Sequence, residues 1–306
     1  MRIAYLILAH QYPSQLADLV TMLSHGNRSQ FYIHVDRKSE GFLDSPTLET
    51  IKNCENVTFL EDRVGVYWGG FSIVEATLQL LRKAVDEGGF QYAVLLSGQD
   101  FPIKSNGYIE SFFELNLGKE FISYVPLPSD EWGARIMERI EYYWVVDALY
   151  RFLDNVGAGK YRKQVWHVYA KLIRSVYKYV PNLKRKFLPG FTPYGGPNWF
   201  AISFHCATYV CEYIQEHPEY CRFFAHTLNS DELFLQTLIL NSPFRDCVVN
   251  DALRFIDWEA GASSPRVLTC EDLNSIVASD SLYARKFDQV KSREVLEKLK
   301  SHVTAQ

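Results

Sequence analysis

Apolar runs alternate with segments of helical spacing along the first hundred residues. Residues 3–9 form a continuous apolar run, as a buried central strand would. Three further strands are predicted at residues 31–35, 56–60 and 92–96. Helical spacing occupies residues 15–23 and 72–85, where Ser72 is the predicted N-cap because Glu75 follows three residues later. The alternation predicts an α/β fold with a mostly parallel, twisted sheet and helices on both faces.

A basic segment interrupts this pattern between residues 155 and 191. It carries nine lysines and arginines and no acidic residue, and apolar residues recur at helical spacing over 165–177. A basic amphipathic helix of this kind either packs its apolar face on the domain or meets an anionic membrane surface. Both interpretations stay open at this stage. Strand character returns at 200–203, and a further helix is predicted over 232–240.

The organisation predicted from these elements is one domain over residues 1–306. Its first half covers about 1–125 and its second half about 126–306, with an inserted basic helical arm at about 155–190. The first apolar run is too short to span a bilayer and is not followed by a signal-peptide cleavage pattern. We therefore expect a cytoplasmic protein, peripheral to the inner face of the cell membrane.

Composition excludes several classes of partner. The net charge of −4 does not favour nucleic acid. The six cysteines contain no CxxC pair, which is typical of buried thiols in a reducing compartment rather than of a zinc or redox site. The sequence also contains no phosphate-binding loop, no dinucleotide-binding glycine motif and no nucleophile elbow.

Polar residues follow three of the predicted strands. His10, Asp36 and Asp100 lie just past the ends of strands, where ligands of parallel sheets bind, although such residues also cap helices. The chain contains no Asp-x-Asp pair. A nucleotide-sugar transferase without that metal-binding pair needs side-chain cations to hold the departing diphosphate, and Arg266 and Lys286 are candidates.

Several segments together resemble the core-2/I-branching glycosyltransferases. The strongest likeness is in LLSGQDFPIK at residues 95–104, and seven further segments follow the family's order. They are residues 4–10, 33–39, 66–72, 199–203, 230–232, 254–258 and 282–288. The resemblance implies a GT-A-like, inverting, metal-independent transferase that moves N-acetylglucosamine from its UDP donor to a sugar hydroxyl, with no cofactor or metal.

The resemblance also implies that residues 1–125 form a nucleotide-binding half and residues 126–306 an acceptor-binding, catalytic half, and it implies roles for particular residues. Glu232 is the implied general base. A general base must approach the acceptor hydroxyl to within about 3 Å. A place in the first turn of a helix would favour the ionised form of Glu232. Arg266 and Lys286 are implied to neutralise the diphosphate, and Asp36 to bind the uridine. The remaining candidates are Ala9, His10 and Asp100 on the donor side and Trp258, Trp199, Glu138 and Arg139 on the acceptor side.

The chain departs from the animal members, which carry a membrane anchor and disulfides. It resembles a bacterial, cytosolic version, so we expect its acceptor to be a surface polysaccharide or another lipid-linked glycan. The basic residues of 160–186 would then face the membrane. Three alternatives remain: a xylosyl- or other pentosyltransferase, an inactive glycan-binding or scaffold protein, and, least favoured, a nucleotidyltransferase.

Overall fold

The computed structural model describes residues 1–24, 29–130, 132–133, 135–259 and 264–305. Twelve strands and twelve α-helices lie in these residues. The strands are β1 Ile3–Ala9, β2 Gln30–Val35, β3 Val57–Phe59, β4 Tyr92–Ser97, β5 Phe101–Pro102, β6 Glu120–Ile122, β7 Val125–Pro126, β8 Tyr194–Gly195, β9 Phe200–Ser203, β10 Val248–Val249, β11 Arg254–Ile256 and β12 Tyr283–Arg285. The helices are α1 Pro13–Ser24, α2 Glu49–Lys52, α3 Ser72–Glu87, α4 Asn106–Leu115, α5 Ile136–Glu141, α6 Val146–Asn155, α7 Arg162–Tyr179, α8 Phe204–Glu216, α9 Pro218–Phe224, α10 Phe234–Leu240, α11 Leu273–Ala278 and α12 Arg293–Ala305.

Seven strands form the central sheet in the order β10-β6-β9-β4-β1-β2-β3. The pairs that involve β1, β2 and β3 are parallel, as is β10 with β6, whereas β9 is antiparallel to both of its neighbours. The predicted α/β fold with a mostly parallel sheet is confirmed. Strands from both predicted halves of the chain belong to this one sheet.

Alternate residues of β1 explain why helices cover both faces of the sheet. Successive side chains of a strand point to opposite faces. Ile3 and Tyr5 accordingly join a buried cluster with Leu16 of α1, whereas Ala4 and Leu6 join another that includes residues of α3 and α8. A strand buried on both faces reads as a continuous apolar run, which is the pattern that predicted it.

The N-terminus of α3 differs from the prediction. Phe71 occupies the N-cap position and Ser72 is already helical. The backbone N–H groups of Phe71 and Ser72 donate to Oδ2 of Asp147, at 2.7 and 3.0 Å, and the Ser72 hydroxyl donates to Oδ1 at 2.6 Å. A carboxylate from α6 therefore replaces the local capping box, because it satisfies several of the free donors that every helix start presents.

The basic arm is helical and packs on the domain. One face of α7 joins an aromatic cluster with Trp144 and Tyr150, and the ring of Tyr177 stacks on Tyr142 with centroids 4.2 Å apart. Val168 and Leu172, on the other face, are 68% and 60% exposed. The packing interpretation is therefore confirmed, while an apolar and basic face stays in solvent. Within the described ranges, no helix combines the length and the apolar character that crossing a bilayer requires.

Candidate active site

The ends of β1 and β2 place Ala9, His10 and Asp36 side by side. The backbone N–H of Asp36 donates to the carbonyl of Ala9 at 2.8 Å. Its carboxylate accepts from Nζ of Lys38 at 2.7 Å and from the backbone N–H groups of Lys38 and Val66 at 2.9 and 3.2 Å. Asp36 is thus fixed at the rim of the sheet, with Lys38 compensating its charge.

A buried carboxylate, Asp100, lies just past the end of β4 and contacts two arginines. Asp100 has no exposed surface; Oδ1 accepts from Arg285 at 3.2 Å, and Oδ2 lies 3.5 Å from Nε of Arg254. Two cations facing one carboxylate leave a net positive charge. The guanidinium of Arg285 also lies 4.1 Å from the ring centre of Trp199, a cation–π geometry that stabilises the charge.

Lys286 follows Arg285 at the same edge. The next residue, Phe287, donates its N–H to the carbonyl of Gln99 at 2.9 Å and accepts from the Gln99 amide at 3.1 Å, so the end of β12 is tied to the end of β4. Partial burial lowers the pKa of His10; Asp36 opposes this, whereas Lys286 and other nearby cations add to it. Asp36, His10 and Lys286 therefore lie near one another at this edge of the sheet.

Burial and the neighbouring charge of Arg285 lower the pKa of Lys286 itself, and Asp288 opposes them. Arg266 has a different environment. Nε and Nη2 donate to Oδ2 of Asp257 at 2.9 and 2.6 Å, and the guanidinium also binds both oxygens of Asp272. Two carboxylates therefore neutralise Arg266 in this structure.

Glu232 ends a 3₁₀ turn, Ser230–Glu232, and precedes α10, which begins at Phe234. The expected place in the first turn of an α-helix is therefore wrong, because Leu233 leaves helical geometry with φ −132°. The Glu232 carboxylate accepts from Nη1 of Arg139 at 2.5 Å, and both side chains are about 30% exposed.

Burial, and then the charge of Glu232, raise the pKa of the adjacent Asp231 to about 7.

Two glycine loops hold the Glu232 turn. The carbonyl of Gly69 accepts from the N–H of Asn229 at 2.8 Å, and the N–H of Gly196 donates to the carbonyl of Glu232 at 2.9 Å. A Cβ on Gly196 would lie 1.9 Å from the carbonyl oxygen of Ser123, so only glycine fits there. Close packing beside the turn of the proposed base therefore requires glycine at position 196.

The loop before β9 joins the two groups of candidates. Gly196 binds the backbone of Glu232, and Trp199, three residues later, stacks on Arg285. Three residues of extended chain span at most about 11 Å. This loop therefore connects the backbone of the proposed base to the ring that stacks on Arg285, although 54 positions separate Glu232 from Lys286 along the chain.

The four acceptor-side candidates have different surroundings in the structure. Arg139 contacts Glu232, and Glu138 accepts from Nε of Arg174 on α7 at 2.8 Å. Trp199 lies on the donor side, against Arg285. Trp258 is 54% exposed and follows Asp257, a partner of Arg266.

The residues predicted from the sequence do not include Asp147, Arg254 and Arg285. Arg285 lies within a segment that carries the family resemblance and is adjacent to Lys286, which was the available signal. Nothing local in the sequence indicates that Asp147 caps α3. Among the described residues, no group of three or more His, Cys, Asp or Glu is arranged to hold a metal ion.

Comparison with known proteins identifies a protein family whose model this chain matches. The model of the family described as "Core-2/I-Branching enzyme" matches residues 3–280. Xylosyltransferase 2 of Rattus norvegicus is 24% identical over 99% of this chain and 34% of its own length, and xylosyltransferase 1 of Homo sapiens is 23% identical over 98% and 30%. The chain thus spans about a third of the length of these curated relatives.

A solved structure of the galactosyltransferase LgtC with donor and acceptor sugar analogues aligns over 99% of this chain and 96% of its own, with 11% identity and a TM-score of 0.41.

Proposed function

The chain belongs to the Core-2/I-Branching enzyme family, and we propose that it transfers a sugar from a UDP-sugar to a hydroxyl of a glycan acceptor. The observation that carries the proposal is the single loop that joins the turn of Glu232 to the cationic edge at Arg285 and Lys286. A group-transfer enzyme needs a base on the attacking side and positive charge on the leaving side.

The proposed reaction is a single displacement. Glu232 takes the proton of the acceptor hydroxyl while the acceptor oxygen bonds to the anomeric carbon of the donor. The bond from that carbon to the β-phosphate oxygen breaks, and its electron pair leaves with UDP. Attack opposite the leaving group inverts the anomeric configuration. The proton stays on the Glu232 carboxyl until product leaves.

Lys286 and Arg285 are the proposed partners of the departing diphosphate. Asp100 compensates only one of the two arginines it binds, so a positive charge remains available at this edge. The sequence-based role for Arg266 is amended in this proposal. Since Asp257 and Asp272 already bind its guanidinium, we assign Arg266 to holding the loop that carries Trp258.

Asp36 is the proposed ligand of the uridine, with Ala9 and His10 beside it at the rim of β1 and β2. Its carboxylate is 13% exposed and fixed by three hydrogen bonds, which suits a preorganised acceptor of ligand N–H or O–H groups. Asp100 is too deeply buried to touch a donor directly, so its proposed part is to orient Arg285.

The proposed donor is UDP-N-acetylglucosamine. The names of the matched relatives favour UDP-xylose as the second candidate. The proposed acceptor is a bacterial surface polysaccharide or another lipid-linked glycan at the cytoplasmic face of a membrane. The exposed apolar and basic face of α7 supports this location, since such faces bind anionic bilayers.

The test is donor binding and hydrolysis with a panel of UDP-sugars in excess chelator, with Glu232→Gln in parallel. Saturable binding that survives chelation, with turnover lost in the variant, is the expected result and identifies the donor. Binding that requires a divalent metal would contradict metal independence. If no UDP-sugar binds, the inactive glycan-binding alternative replaces the transferase.

A further inference from the structure

A cavity lies beside the Glu232 turn, with Arg139 and Asn229 in its lining. Its volume is about 250 Å³, below the range of drug-sized pockets and suited to about one sugar residue. Four tryptophans border it, namely Trp68, Trp132, Trp144 and Trp166, of which Trp144 is almost completely buried. These are four of the six tryptophans of the chain. Aromatic rings at such density are typical of sites that bind the apolar faces of sugars.

The charged lining of this cavity is mainly positive. Arg135, Arg139 and Arg174 line it together with one acidic residue, Glu138. Arg174 is paired with Glu138, and Arg139 with Glu232 just outside. Arg135 is exposed and forms no ion pair with the residues that the structure describes. Among the described residues, Arg135 is therefore the one cation of this lining that has no carboxylate partner.

The lining comes from four parts of the chain. Trp68 stands in the glycine loop before α3, Arg135 and Arg139 lie at α5, Trp166 and Arg174 lie on α7, and Leu228 and Asn229 come just before the Glu232 turn. The basic arm therefore forms one wall of this cavity. Because the arm packs on the domain, its residues can contact a ligand in this cavity, which a helix that faced only a membrane could not do.

We infer that this cavity binds an acidic sugar residue of the acceptor, stacked on the indoles with its carboxylate at Arg135 and Arg139. The inference rests on the proposed glycosyltransferase function and specifies its acceptor. Guanidinium groups bind carboxylates through paired, charge-assisted hydrogen bonds. A uronic acid presents such a carboxylate next to an apolar ring face.

An acidic sugar bound at Arg139 would also act on Glu232, the proposed base. Arg139 holds the Glu232 carboxylate at 2.5 Å. A substrate carboxylate that shares the guanidinium weakens this ion pair and leaves Glu232 free to accept the proton of the hydroxyl. The neighbouring sugar that carries the hydroxyl would then lie over Glu232, between this cavity and the donor edge.

The test uses a hyaluronan tetrasaccharide and its carboxyl-reduced form, in which each glucuronic acid is converted to glucose. The two probes differ only in the carboxylate. Binding is followed through tryptophan fluorescence in the absence of donor. We expect the acidic tetrasaccharide to bind about tenfold more tightly, as one charge-assisted contact would give, and the preference to shrink as salt is added.

Matched variants locate the effect. Arg135→Gln abolishes the preference, whereas Lys171→Gln, which makes the same charge change at an exposed position of α7, preserves it. Trp68→Ala weakens binding of both probes, whereas Tyr179→Ala does not; both rings are largely exposed, at 63% and 78%, so neither variant should unfold the protein.

Equal affinity for the two tetrasaccharides, or binding of neither, would overturn the inference. So would a preference that survives Arg135→Gln, or tighter binding of an acidic serine-containing peptide than of the glycan. Binding of UDP-sugars is titrated separately. If it persists when the acidic preference fails, the proposed function stands and only the acceptor class is rejected.

Discussion

Arg139 donates a hydrogen bond of 2.5 Å to Glu232, a residue 93 positions later in the chain. The contact joins α5, at the base of the basic arm, to the turn before α10. It places the proposed base in an ion pair that is still open to solvent, since both side chains are about 30% exposed. A base in this setting is oriented before the acceptor arrives.

Glu232→Gln should lower the transfer rate by about 10² to 10⁴, the range for loss of a positioned base. The adjacent Asp231 provides a matched control. Burial and the charge of Glu232 raise its pKa, which favours the neutral form that asparagine resembles, so Asp231→Asn should cost far less. Transfer rates of both variants from pH 5.5 to 8.5 check this. Equal losses in the two variants would remove Glu232 from the chemical step.

Lys286→Gln should lower the transfer rate by about 10²-fold, because the developing charge on UDP loses a cation. Arg266→Gln should mainly reduce the free energy of unfolding, since it leaves Asp257 and Asp272 facing each other without their counterion. Steady-state kinetics and urea unfolding on both variants separate the two effects. A large rate loss with unchanged stability in Arg266→Gln would restore its role at the diphosphate.

Asp147→Ala should destabilise the fold by about 2 kcal/mol. The substitution removes the acceptor of three hydrogen bonds from the start of α3, and loss of a helix cap costs about 1 to 2 kcal/mol. Urea unfolding measures the change, with Asp62→Ala at an exposed position as the control. Unchanged stability in Asp147→Ala would show that water replaces the carboxylate without cost.

His34 should make stability depend on pH. Burial lowers its pKa from 6.5 to about 4, against the opposing charge of Asp36, and Nε2 accepts from the N–H of Val64 at 2.8 Å. The fold favours the neutral ring, so its contribution of about 3 kcal/mol is complete above pH 6.5 and is lost as the pH falls toward 4. Unfolding at pH 7.5 and 5 should show a smaller drop in His34→Gln than in the parent.

His167→Gln, at an exposed position, serves as the control for His34→Gln. Its stability should fall with pH as that of the parent does. If His34→Gln also follows the parent between pH 7.5 and 5, another group controls the acid sensitivity.

The arm should bind anionic membranes. Lys163→Glu with Lys171→Glu should weaken binding to phosphatidylserine-containing vesicles by at least about 30-fold, from about 1 kcal/mol for each lysine removed. Neutral phosphatidylcholine vesicles should bind neither form tightly. The control is the same double charge reversal at Lys83 and Lys119, which lie outside the arm. Sedimentation with vesicles measures binding, and equal binding by both double variants would reject membrane contact.

The central strands were predictable because a strand buried on both faces must be apolar throughout. β1, β2 and β4 accordingly lie within two residues of their predicted bounds. The start of α3 was not predictable, because its cap comes from Asp147, 75 residues after Ser72. The start of α10 also moved, since the close packing of the Glu232 turn on Gly196 is a tertiary contact.

The sequence by itself determined the α/β class, the placement of polar residues at strand ends and the family resemblance, because these depend on local periodicity and short motifs. Only the tertiary structure decided which charges meet. Asp100 was read as a donor ligand and is a buried partner of two arginines; Arg266 was read as a free cation and is bound by two carboxylates. Ion pairing depends on distance in space, and one sequence does not encode that distance in any local pattern.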